Sequence, residues 1–205
     1  KLDGIIIETT GMADPAPVAQ TFFVDDKVKK HFRLDGIVTL IDAKHIEQHL
    51  DEEKPEGAEN EAVEQVAFAD RMLLNKTDLV SEEDLVRVES RLKGINSFAP
   101  IFRTHQSNIS VDSVLNIAAF DLKRTLENDA EFLNTDGEHE HDKTVSSLSI
   151  NQSGEVDLDM LQEWISELLQ TKGADIFRMK GVLAVANAEK KFVYQAVRGN
   201  SSSGS

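Results

Sequence analysis

The sequence predicts an α/β protein: a parallel sheet with helices on both faces, followed by a small α+β module. Three observations carry that reading. Apolar runs without polar alternation recur through the first half, as Gly4-Ile5-Ile6-Ile7, Gly36-Ile37-Val38-Thr39-Leu40-Ile41, Arg71-Met72-Leu73-Leu74-Asn75 and Pro100-Ile101-Phe102-Arg103. Such runs mark strands buried on both faces. Amphipathic segments separate them, and strict alternation of strand and helix implies parallel pairing. Beyond an acidic stretch at 127–143 the pattern changes to one helix among alternating strands.

Each element has a local reason. Asp14-Pro15-Ala16-Pro17 is a helix start with prolines in the first turn, and Val18, Phe22, Phe23, Val28 and Phe32 extend one helix toward Arg33. Short helices are expected at 43–50 and 59–69. Ser81 followed by Glu82, Glu83 and Asp84 caps a helix to about Lys93, its acids complementing the helix dipole. A further helix is expected at 111–119. In the second module we expect a strand at 145–150, a helix at 157–170 with Leu158, Leu161, Ile165, Leu168 and Leu169 on one face, and strands at 176–185 and 192–197. Residues 1–126, 127–143 and 144–198 thus read as a parallel α/β domain, a linker and an α+β domain. Residues 199–205, all Gly, Ser and Asn, read as a tail or cloning scar.

Composition excludes several functions. The 205 residues carry 22 Lys+Arg against 37 Asp+Glu, a formal charge of −15, and the densest basic stretch, 27–33, is short. Nucleic-acid phosphates need clustered cations, so no nucleic-acid partner is expected. No apolar run approaches the roughly 18 to 20 residues of a membrane span, so no membrane partner is expected either. The chain reads as soluble and intracellular, from cytoplasm or a plastid. Having no cysteine, it leaves His, Asp and Glu as its strong metal ligands.

Two motifs carry chemistry. Asn75-Lys76-Thr77-Asp78 leaves a buried strand, where doubly wound sheets place ligand loops. An aspartate there accepts hydrogen bonds from N1–H and the exocyclic amine of guanine, a pattern that adenine does not offer. Lys76 would lay its stem along the ring while Asn75 ties the loop. The plainer alternative is an ordinary strand-to-helix turn. Glu8-Thr9-Thr10-Gly11 also follows an apolar run; its carboxylate suits Mg²⁺, and its glycine lets a backbone N–H approach a terminal phosphate.

These segments, together with 12–18, 38–43, 64–80 and 177–183, resemble the CobW-type family of P-loop GTPases, which includes zinc-responsive metallochaperones. The resemblance runs from about Leu2 to Val197. It implies a P-loop sheet followed by a CobW C-terminal-type domain. It also implies binding and hydrolysis of GTP with Mg²⁺, GDP as product, and delivery of zinc or another transition metal to a metalloprotein client. Glu8 then matches the Mg²⁺-associated acid, Gly11 the γ-phosphate contact, and Asn75, Lys76 and Asp78 the guanine-specificity motif. Thr104 falls in the last base-contacting loop.

One departure is marked. No glycine here is followed by lysine, so the phosphate-cradling G-x-x-x-x-G-K-[ST] loop is absent. The chain therefore reads as N-terminally truncated and, by itself, a negligible GTPase. The family's strand feeding that loop would lie beside 5–7, so an exposed sheet edge and self-association are expected. His139 and His141 flank Glu140 in the linker, where relatives carry a His-rich tract, and suit Zn²⁺; a solvated charged linker is the alternative. His45 and His49 share a helix face and read as surface residues more readily than as a chelate. A non-catalytic metal-binding or partner-docking module is the competing reading of the whole.

Overall fold

The computed structural model describes residues 3–11, 13–55, 60–119, 145, 147–173, 175–188, 191–197 and 200–204. Strands β1 (Val38–Asp42), β2 (Arg71–Asn75) and β3 (Ile101–Arg103) pair in parallel in that order. Leu40 lies opposite Leu73, Asp42 opposite Asn75, and Leu74 opposite Arg103. Before them stand α1 (Ala16–Val24) and α2 (Asp26–His31); around them stand α3 (Ile46–Leu50), α4 (Glu61–Phe68) and α5 (Glu82–Ile95). Ile41, Met72 and Leu74 point to one face and pack with Val66, Val88 and Leu92 into the main core. Burial of that apolar surface supplies the driving force for this half.

The α+β module follows. Its helix α6 (Leu158–Lys172) starts where the Asp157 carboxylate accepts the N–H groups of Asp159 and Met160, both at 3.0 Å. Strands β4 (Arg178–Leu183), β5 (Phe192–Val197) and β6 (Asn200–Gly204) form an antiparallel sheet. Ile165 of α6 packs on it against Tyr194 and Ala196.

The two halves meet at the N-terminal edge of the parallel sheet. Phe177 sits edge-on to Phe68, with ring centroids 6.3 Å apart. Asp70, just before β2, is 1 % exposed in its side chain, and it pairs with Arg178 and, at 2.8 Å, with the Lys180 ammonium. Its other oxygen accepts the Ile37 N–H at 2.9 Å. Burial works against ionisation of Asp70, but the adjacent Arg178 and Lys180 outweigh it and hold its carboxyl below the usual range. Lys180 is pushed down to about 8 by its own burial and by Arg178.

Several expectations are corrected. The strand at 4–7 is not formed: Ile6 is 81 % exposed, and Ile5 and Ile7 are more than half exposed, because no neighbouring strand pairs with this segment among the described residues. The single helix at 14–33 is two, because Asp25 turns extended and its carboxylate caps α2 through the N–H groups of Lys27 and Val28. Only a 3₁₀ turn, Val111–Ser113, forms within 111–119. There Asn116 and Ala118 take positive φ, and the Asp35 carboxylate accepts the N–H groups of Ile117 and Ala118 that a helix would have used internally. Gly36 leaves room for the Ile117 side chain. No strand appears among the described residues of 145–150, and Leu148 and Ile150 are exposed. The run read as a tail is paired as β6, whose ladder needs backbone groups and no apolar side chain.

Candidate functional site

The site is built where β2 and β3 end. Asn75 is buried at the last position of β2; its side-chain carbonyl accepts the Thr104 hydroxyl at 3.1 Å and the Ser107 N–H at 2.9 Å. Its amide donates to the Ser107 hydroxyl at 3.2 Å. Gln106 and Ser107 have positive φ, which curls the loop after β3 back toward Asn75. Next to it Lys76 also turns left-handed, at φ 62°, and a 3₁₀ turn, Thr77–Leu79, follows. The Thr77 hydroxyl donates to the Thr104 carbonyl at 3.0 Å, so the two loops are laced together.

Asp78 projects from this laced turn. Its side chain is 45 % exposed, and Nε2 of His105 lies 3.4 Å from its carboxylate. A carboxylate so presented offers two acceptor oxygens to a planar donor pair such as the guanine edge. Lys76 reaches back across β1, donating to Asp42 at 2.7 Å. Asp42 also accepts the Lys44 N–H at 2.9 Å and lies 3.0 Å from Nδ1 of His45. Burial opposes its ionisation, yet the hydrogen bonds from His45, Lys76 and Lys44 prevail and hold it well below the usual carboxylate range.

The structure therefore brings Asn75, Lys76, Asp78 and Thr104 together. Glu8 and Gly11 are both exposed, in a segment whose Gly11 and Ala13 carbonyls accept the Gln65 amide of α4 at 3.1 and 2.9 Å. No hydrogen bond or ion pair joins them to Asn75, Lys76 or Asp78 among the described residues. Nor do the described residues make a Mg²⁺ or Zn²⁺ site on their own: no group of three or more His, Asp or Glu is placed to hold an ion. Glu8 is a single exposed carboxylate and would hold Mg²⁺ only together with water and the phosphates of a bound nucleotide. His139 and His141 lie outside the described residues.

Comparison with known proteins decides the family. Residues 1–103 match the nucleotide-binding domain of CobW/HypB/UreG proteins, and residues 145–204 match the cobalamin synthesis protein cobW C-terminal domain. The chain belongs to the CobW/HypB/UreG family. Among relatives, zinc-regulated GTPase metalloprotein activator 1 of Schizosaccharomyces pombe is 34 % identical over 97 % of this chain and 54 % of its own length. The zinc chaperone YjiA of Escherichia coli (strain K12) is 28 % identical over 97 % of this chain and 59 % of its own. A crystal structure of the Zn(II)-bound E. coli YjiA GTPase aligns over 95 % of this chain and 58 % of that one, with a TM-score of 0.68 and 24 % identity, which shows the shared fold. The chain thus spans between half and two thirds of the length of these two relatives.

Two residues tied into these loops, Ser107 and Asp42, lie outside the sequence motif. Ser107 had a signal, a hydroxyl three residues beyond Thr104 on the same loop. Asp42 had one as well, ending an apolar run as Asn75 does, and their direct opposition in register explains why both serve one loop.

Proposed function

We propose that the protein carrying these 205 residues binds GTP, hydrolyses it, and uses the cycle to deliver zinc or a related transition metal to a client metalloprotein. The observation that carries this reading is the half-exposed Asp78 carboxylate held out by a turn whose Asn75 is locked to Thr104 and Ser107. Support for the metal side comes from relatives named as a zinc-regulated GTPase activator and a zinc chaperone. Glu8, as metal-associated acid, and Gly11, as γ-phosphate contact, belong to the reading on the strength of their motif. So do His139 and His141 as cargo ligands. No G-x-x-x-x-G-K-[ST] run occurs in these residues, so hydrolysis is proposed of the whole protein and not of this chain alone. No helix of the described residues is long and apolar enough to cross a membrane, in keeping with a cytoplasmic or plastid location.

The test exchanges the base. Guanine offers two donors to Asp78; xanthine keeps N1–H and presents a carbonyl in place of the amine. Asp78→Asn supplies one acceptor and one donor, so it should shift the whole protein's preference from GTP to xanthosine triphosphate by on the order of a hundredfold or more. Competition binding with the two triphosphates measures this. Equal preference before and after the exchange would remove Asp78 from base recognition.

A further inference from the structure

Of the residues in the base loop, Asn75 and Thr77 are tied to the segment after β3, and Asp78 faces outward. Lys76 alone among these four crosses to β1, where its ammonium meets Asp42 Oδ2 at 2.7 Å. Asp42 is itself fixed, since Oδ1 accepts the Lys44 N–H and Oδ2 lies 3.0 Å from His45 Nδ1. The backbone beneath is clamped as well: the Ala43 N–H donates to the Asn75 carbonyl at 3.0 Å. A free lysine stem samples many rotamers and loses that freedom on binding a ligand, whereas a stem pinned at its ammonium has already lost it.

We infer that Asp42, steadied by Lys44 and His45, is a positioning residue that fixes the Lys76 stem as the apolar shelf for a base held by Asp78. This rests on the base-site reading above and deepens it. Asp42 does not touch the base. Its removal should weaken nucleotide binding without changing the choice between guanine and adenine, because a methylene shelf accepts either ring while Asp78 alone distinguishes them.

The experiment titrates the 205-residue chain with GDP and with ADP, following amide signals by NMR. Asp42→Asn should weaken both nucleotides by about tenfold, the scale of one charge-assisted anchor, and leave their ratio unchanged. Lys76→Met, which spares the contacts of Asp42 with Lys44 and His45, should give the same loss even if Asp42→Asn proves poorly folded. In the Lys76→Met background Asp42→Asn should add nothing, since an effect transmitted through one partner is fully coupled to it. A second readout needs no nucleotide: acylation by an N-hydroxysuccinimide ester, read by peptide mass spectrometry, should rise several-fold at Lys76 relative to Lys44 in Asp42→Asn. Additive losses, or unchanged Lys76 labelling, would overturn the positioning role while leaving the base site intact. GDP binding that is indifferent to Asp78→Ala would instead overturn both readings.

Discussion

Asparagine does at three junctions of this fold what no apolar residue can: it serves several hydrogen-bonding groups at once from one planar amide. Asn60 accepts the Ala62 and Val63 N–H groups at the start of α4 while its amide reaches the His49 carbonyl at 2.8 Å. Asn75 locks the base loop. Asn96, buried after α5, donates to the carbonyls of Val66 and Ala69, each at 2.9 Å, and accepts the Ala99 N–H at 3.1 Å. Asn96 thereby closes the turn from α4 into β2, five residues upstream of the loop that β2 carries. Asn96→Ala would take one donor from each of those carbonyls and leave the buried Ala99 N–H without its side-chain acceptor. We predict a loss of about 2–3 kcal/mol, read as a lower midpoint in urea denaturation with unchanged slope. A variant as stable as the parent would show that water replaces the amide.

At the scale of elements, β1 is an edge strand among the described residues, with Leu40 59 % exposed, and the apolar segment Ile5-Ile6-Ile7, which pairs with no described strand, is exposed too. An open, apolar edge is a template for pairing with a second chain. The chain should therefore show a concentration-dependent mass by light scattering, and Leu40→Lys should reduce it; a monomer at all concentrations would refute the expectation. The same edge shows what a sequence can and cannot reveal. Strands β1, β2 and β3, and helices α5 and α6 with their Ser81 and Asp157 caps, are legible because run length and capping are local properties. Burial of 5–7 and 145–150 is not local, since it depends on a partner strand. The stretch 111–119 escapes for a related reason: Asp35, far away in sequence, takes its N–H groups. β6 escapes because a Ser-rich strand carries no apolar alternation. In the site, Asn75, Lys76, Asp78 and Thr104 are legible from their motif and position, whereas Asp42 belongs to it only through the register of β1 on β2.

At the scale of the molecule, β2 runs from the junction of the two halves to the base loop, so one five-residue strand has an ion triad at its start and Asn75 at its end. The triad is asymmetric. Among the described residues Asp70 pairs with two cations from β4, and removing it takes a shared buried counter-charge from both, which costs far more than losing an exposed pair would. Asp70→Asn should therefore destabilise the chain by about 3 kcal/mol at pH 7. The pH dependence separates this from a packing defect. The folded-state pKa of Asp70 lies below its unfolded value, so its contribution is complete above about pH 4 and is lost as pH falls through the folded value. Lys180, at about 8, titrates on the alkaline side and leaves the acid limb to carboxylates. Other depressed carboxylates, Asp42 and Glu47 among them, act equally in parent and variant and cancel in the difference. The gap in unfolding free energy between parent and Asp70→Asn should narrow as pH falls below about 4, whereas Lys180, which Asp70 holds up in the parent, titrates lower in the variant and makes its difference nearer neutrality. A gap that stays constant into acid would mean that Asp70 acts through its shape and its Ile37 contact, and that its charge contributes nothing to holding the two halves together.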